Sequence, residues 1–260
     1  MTAPEPSPPH LSVAHGVATV TLNRPDVRNS LSDEDLQTLQ AHAQTIEHDT
    51  SIRLAVLQAR VAEGPRPVFC AGYRLQGLAE GASAPRRFEQ AVQAWAELRV
   101  PTVALINGSV HGGGTDLALA CDLRLSLPNG EWRMPACRMG LLFYPEGLRR
   151  YARHLGPDWS KRAFLLGQPL PVAVLASLGV VESLDTPEAM TSRLQAISAE
   201  VLAMAPLAVE ATKRHLNALT WDRWHAESYA QDEHLIHQSA DLAEGRDALM
   251  AGRRPQFERR

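Results

Sequence analysis

The sequence predicts an α/β fold with a helical C-terminal region. Stretches with strand periodicity alternate with stretches of helical periodicity up to about residue 127. Helices join the early strands, so those strands should run parallel. Beyond about residue 157 strand patterns give way to successive helical ones. With 260 residues and 45% hydrophobic content, the chain can bury one large core. Its 26 basic and 29 acidic residues leave a net charge of −3, which gives no footprint for nucleic acid and no like-charge run for a membrane surface. No apolar stretch reads as a signal sequence or a membrane span. Cys70, Cys121 and Cys137 are odd in number and lack paired spacing, so free thiols and a cytoplasmic location are expected.

The elements follow in order. MTAPEPSPP (1–9) is too proline-rich for regular structure and is expected to be a flexible arm. LSVAHGVATVTL (11–22) alternates about Gly16 and predicts a β-hairpin that ends at NRPD. Ser32 with Asp35 three residues on predicts a helix start, and Leu36, Leu39, Ala43 and Ile46 then share one face. IRLAVLQAR (52–60) reads as a buried strand. A helix over about 84–98, a strand at 102–107, a helix from about 113 to 120 and a strand at 122–127 repeat the unit. In such a sheet, ligand loops sit at the carboxyl ends of the strands.

Two junctions draw attention. In NGSVHGGGTDLALACDLRLS (107–126), Gly112, Gly113 and Gly114 stand between an apolar run and a helix. Without Cβ atoms they allow either a tight packed turn or close approach of a ligand atom to free N–H groups. Neither a phosphate loop nor a dinucleotide fingerprint fits the spacing. In VFCAGYRLQGL (68–78), a strand end runs into the small-residue turn Ala71–Gly72 and on toward an expected helical segment. Two such turns can aim two N–H groups at one oxygen, an arrangement worth about 3 kcal/mol per donor to a developing oxyanion.

Together GVATVTLNRPDVRNSLS, FCAGYRL, PTVALINGSVHGGGTDLALACDLRLS and EGRDALMAGRRPQF resemble the enoyl-CoA hydratase/isomerase, or crotonase, superfamily, from about Leu11 to Phe257. The resemblance implies a crotonase-like spiral of repeated β-β-α units over 10–190. It also implies a helical region over 191–260 that trimerises, giving a homotrimer or a dimer of trimers. The implied partner is an acyl thioester of coenzyme A, or of an acyl carrier protein through the same phosphopantetheine arm. No other cofactor and no metal is implied. The oxyanion donors carry over to Tyr73 and Gly113. Ala71, Gly72, Arg74, His111 and Gly112 flank them, and Arg28 and Ser30 match the segment that approaches the nucleotide and pantetheine. Arg253 and Arg254 resemble a basic stretch that meets CoA phosphates.

The chain departs from the hydratase pattern at both acids. Asp116 stands where the first glutamate is expected, and Ala136, in MPA, takes the place of the second. Alanine can neither activate water nor deliver a proton. Asp116 alternatively favours the helix dipole as an N-terminal acid. In GLLFYPEGLRR (140–150), Tyr144 and Glu146 are catalytic candidates with Asp116; otherwise Tyr144 is a wall residue and Glu146 a helix-capping acid. His111 points either to the pocket or into the sheet. His234 and His237 have metal-compatible spacing, but a solvated or interface face suits them better. The aromatic residues Tyr73, Trp95, Phe143 and Tyr144 suggest a pocket unlike that for a simple fatty chain. Double-bond isomerisation, which needs a single carboxylate, is the leading reaction expected. Hydration or dehydration with a non-standard second acid, decarboxylation or hydrolysis, and a silent thioester-binding role remain open.

Overall fold

A computed structural model describes residues 5–74 and 83–260. The expected hairpin is present as β1 (His10–Ala14) and β2 (Val17–Leu22), antiparallel about the turn at Gly16. Helix α1 (Asp33–His48) starts where the sequence places it: Ser32 Oγ accepts from the Asp35 N–H while Asp35 Oδ2 accepts from the Ser32 N–H. β3 (Leu54–Ala59) follows, then β4 (Val68–Cys70), α2 (Ser83–Ala96), β5 (Thr102–Ile106), β6 (Ser109–His111), α3 (Gly113–Leu119), β7 (Leu123–Ser126) and β8 (Glu131–Arg133). The remainder is α4 (Pro145–Leu165), broken at Gly156 before Pro157, then β9 (Leu170–Pro171), α5 (Val172–Ser177), β10 (Glu182–Ser183), α6 (Pro187–Leu202), α7 (Pro206–Thr220), α8 (Ala226–His237) and α9 (Ala240–Met250). The helical segment expected just beyond Tyr73 lies outside the described residues.

Six strands form one sheet in the order β1-β2-β3-β5-β7-β10, parallel except for the hairpin. Both faces are covered, which is why β3 and β5 read as nearly unbroken apolar runs. Successive β3 side chains go to opposite faces: Ala55 and Leu57 join Leu36, Leu39, Val92 and Trp95 beneath α1 and α2, while Leu54 and Val56 join Val103, Met190 and Ile197 beneath α6. Each large apolar side chain so buried contributes about 1.5–3 kcal/mol.

A second sheet, β4-β6-β8-β9, was read from the sequence only at the strand end in VFC, which is β4. Its first three strands are parallel and three residues long, too short to display a period. Two other sequence expectations look different in three dimensions. The boundary between 190 and 191 falls inside α6, whose residues Met190 and Ile197 both pack on the large sheet. Within the proposed arm, the Ser7 N–H donates to Asn23 O and the Pro9 carbonyl contacts His42 Nε2, so residues 5–9 lie along the body although they form no element. Among the described residues no single helix is long and apolar enough to cross a membrane.

Candidate active site

The small sheet gathers the site. The loops that leave the carboxyl ends of β4, β6 and β8 carry Ala71–Tyr73, Gly112–Gly113 and Met134–Ala136, and all three line one cavity of about 190 Å³. Parallel neighbouring strands end on the same side, so residues far apart in the chain meet there.

Each glycine is required for a different reason. Gly112 has φ +52 and ψ −122, with open space around it, so its backbone conformation is what excludes other residues. A Cβ on Gly113 would stand 2.6 Å from Phe88 Cζ, and one on Gly114 would stand 2.7 Å from Cys70 O. In the first loop, a Cβ on Gly72 would stand 2.6 Å from His111 O and 2.9 Å from Gly113 N, so the two loops touch through this residue. Gly72 O accepts from the Leu31 N–H and Leu31 O accepts from the Arg74 N–H, which leaves the Tyr73 N–H outside the bridge. Among the described residues, neither the Tyr73 nor the Gly113 N–H has an acceptor.

Asp116 lies behind this cavity and does not line it. Its side chain is fully buried on α3, where Oδ2 accepts from the Tyr144 hydroxyl and Oδ1 from Arg150 Nη1 at 2.6 Å. A carboxylate only accepts, so the hydroxyl hydrogen of Tyr144 is committed to it. Tyr144 does line the cavity, immediately before α4. Burial, and next the Asp116 charge, push its phenol well above the usual range. Arg150 is 1% exposed; burial opposes its charge, but Asp116 and Tyr144 outweigh that and raise its pKa. Its guanidinium also reaches Gln93 Oε1 at 3.4 Å and lies 5.7 Å from the centre of the Trp221 ring.

Arg150 was missing from the sequence candidates, although a signal for it existed. The buried positions Gly147, Arg150, Tyr151 and Leu155 of α4 follow a helical stripe, so Arg150 falls on the inner face while Arg149 is exposed. Phe88 was missed too, and it lies against Gly113 and within 6.1 Å of the Tyr144 ring.

The other predicted residues divide. Tyr73, Phe143 and Ala136 line the cavity; the Tyr73 hydroxyl donates to Asp33, and burial followed by that bond raises its pKa. Ala136 is surrounded by Met134, Pro135, Leu141 and Phe143, with no acid in its place. Glu146 faces away from the cavity: it pairs with Arg223 at 2.8 Å. The His111 ring does not line the cavity either, and burial, ahead of Arg133 and Arg28, lowers its pKa. Arg28 is exposed in a left-handed turn whose carbonyl accepts from the Ala71 N–H, and Arg74 Nε donates to Ser30 Oγ at 3.3 Å. Trp95 belongs to the core, where its indole N–H donates to Cys121 Sγ at 3.0 Å. Arg253 pairs with Glu244 at 2.6 Å. His234 and His237 have no cluster around them: among the described residues no three metal-ligating side chains come together.

The family model of enoyl-CoA hydratase/isomerase matches residues 12–260. A probable enoyl-CoA hydratase echA6 of Mycobacterium bovis is 30% identical over 250 residues, 95% of this chain and 98% of its own length. The putative enoyl-CoA hydratase/isomerase YngF of Bacillus subtilis is 30% identical over 244 residues, 90% of each chain. The crystal structure of an enoyl-CoA hydratase/carnithine racemase from Magnetospirillum magneticum superposes with a TM-score of 0.88 at 26% identity, covering 98% of this chain and 97% of its own.

Proposed function

The chain belongs to the enoyl-CoA hydratase/isomerase family, and on that premise we propose that it shifts the double bond of an enoyl thioester, holding the enolate oxygen between the Tyr73 and Gly113 N–H groups. The observation that carries this reading is the Tyr144–Asp116 hydrogen bond at the cavity wall, fixed from behind by Arg150. One proton-handling unit suffices for isomerisation. Tyr144 Oη takes the proton from substrate carbon as its own proton passes to Asp116 Oδ2. The electron pair moves to the thioester oxygen, and the reverse transfer places the proton on the other end of the allylic system. The raised pKa of Tyr144 makes the second transfer necessary, since a free phenolate beside Asp116 is strongly disfavoured.

Hydration, the activity named for the Mycobacterium bovis and Bacillus subtilis relatives, fits less well: Ala136 supplies no second acid, and Glu146 is held by Arg223. Decarboxylation would bring a substrate carboxylate to a wall on which no described cation lies. A silent thioester-binding role has one specific support, that no described carboxylate lines the cavity.

The test is a 3-enoyl-CoA incubated with the purified protein in heavy water, with conjugated-enoyl absorbance and product mass followed together. Conjugation without added water is expected, and Tyr144→Phe should lower the rate about 100-fold or more with thioester binding retained. Binding without conversion would count against isomerisation of that acyl chain and favour the silent role, and a mass gain of one water would establish hydration.

A further inference from the structure

Building on the isomerase reading for the nature of the reacting bond, we propose that the acyl group taken by this cavity is uncharged, flat and about the size of one ring: an arylalkenoyl or similarly conjugated short acyl thioester. Three observations lead there.

The first is size. The cavity of about 190 Å³ includes the space beside the Tyr73 and Gly113 N–H groups, so carbonyl and acyl group share it. An apolar cavity of about 150 Å³ accepts benzene, so one ring with a short alkenyl link to the carbonyl fills this one. A long chain would have to extend out of the cavity, whose described lining includes Leu142, 86% exposed.

The second is the wall. Phe88, Phe143 and Tyr144 line the cavity, and the pairs meet at 6.1 Å edge-on and 4.7 Å tilted. Behind them Phe143 packs on Phe164 at 5.6 Å, and Gly147 leaves the space that the Phe143 ring occupies. The Asp116 bond holds Tyr144 in place. This is a stiff aromatic surface, supplemented by Met134 and Met139, and it suits ring edges and conjugated planes more than a flexible chain.

The third is charge. No Lys, Arg or His lines the cavity among the described residues. Residues 75–82, LQGLAEGA, contain none either. Of the nearby arginines, Arg150 pairs with Asp116 and Arg87 with Asp33, while Arg74 does not line the cavity and donates through Nε to Ser30. An acyl group ending in a carboxylate would be buried without a partner.

The experiment measures binding, which needs no turnover. Cinnamoyl-CoA, succinyl-CoA, palmitoyl-CoA and free CoA are titrated calorimetrically into the wild-type protein and into Ala136→Leu, whose larger side chain enters the cavity. The expected result is cinnamoyl-CoA binding at least tenfold more tightly than the other three. In Ala136→Leu that preference should vanish while free CoA binds as before; the smaller change Phe88→Leu, which should weaken it severalfold, serves if Ala136→Leu fails to fold. Succinyl- or palmitoyl-CoA binding as tightly as cinnamoyl-CoA would overturn the inference. Ring preference without any conversion of an enoyl thioester would leave it standing and refute the isomerase reading instead; conversion with no acyl preference would do the reverse.

Discussion

Arg150→Met isolates the interaction that holds the site from behind. The Arg150 and Asp116 side chains are 1% and 0% exposed, and their atoms meet at 2.6 Å. At an effective dielectric of about 20, charges at such separations attract by about 4–6 kcal/mol, most of it offset by the cost of removing both from water. Methionine keeps the length and much of the volume of the arginine stem but leaves Asp116 ionised, buried and bonded only to Tyr144. Removing one partner of such a pair costs about 3–5 kcal/mol. For a chain of this size that lowers the melting temperature by about 10 °C at fixed protein concentration. Loss of the stacking on Trp221 acts in the same direction. Calorimetric unfolding of Arg150→Met, Asp116→Asn and the double variant forms a cycle. The double variant should be more stable than the sum of the single losses predicts, by about 2 kcal/mol or more, because the stranded charge is then gone. Additivity within about 0.5 kcal/mol would show that the two charges do not support one another, and the account of the site as a braced Tyr144–Asp116 unit would fall.

Further outcomes concern the two glycine loops and His154 of α4. Gly72→Ala should cost about 3 kcal/mol, since its φ of +89 and the backbone atoms His111 O and Gly113 N both oppose a Cβ, whereas Gly113→Ala keeps an ordinary φ, meets only the far end of the Phe88 side chain and should cost about 1 kcal/mol; equal denaturation midpoints for the two variants would contradict this. The same contact means that Gly113→Pro, which removes an oxyanion donor at a helix position where proline is tolerated, also displaces Phe88 and has to be compared with Phe88→Ala for activity. Burial, ahead of Arg124 and Arg150, lowers the pKa of His154 to about 3, while the unfolded chain binds that proton near 6.5. The stability contributed by the neutral ring is therefore present above pH 6.5 and is lost as pH falls toward 3. Between pH 6.5 and 5 the loss should be about 2 kcal/mol, and His154→Leu should remove that slope from urea titrations.

Most of the large sheet was legible because its strands are long enough to show a period and its first helix carries the Ser32–Asp35 cap. The small sheet was not, since three-residue strands carry no period, yet it is this sheet that brings Ala71–Tyr73, Gly112–Gly113 and Met134–Ala136 together. The small-residue turn Ala71–Gly72 and the run Gly112–Gly114 marked the two loops; the reasons for Gly113, Gly114 and Gly72 depended on Phe88, Cys70 and His111 respectively, each distant in the chain from the glycine it meets. Asp116 was found by position, but its environment required Arg150, thirty-four residues away, and spacing alone could not tell a cavity-facing acid from one closed off by a guanidinium. Glu146 looked equivalent to Tyr144 in sequence. Two residues on, in the first turn of α4, it turns toward Arg223 instead.

The missing second acid gives the strongest contrast between reading positions and reading environments. If the chain were a hydratase that had merely lost one residue, Ala136→Glu should restore hydration. The structure argues otherwise. Ala136 is 1% exposed among Met134, Leu141 and Phe143, with no cation on the cavity wall among the described residues. A glutamate there enters an apolar surface that favours its protonated form and costs about 1–3 kcal/mol in overpacking. Asp116 would still be bound on both oxygens, by Tyr144 and Arg150, and could not join a new glutamate around a water molecule. Ala136→Glu should therefore fold less stably and show no hydration of crotonyl-CoA, measured by loss of enoyl absorbance. Hydration by this single variant would mean that Asp116 reaches the cavity in solution, and the relay through Tyr144 would have to give way to direct carboxylate catalysis.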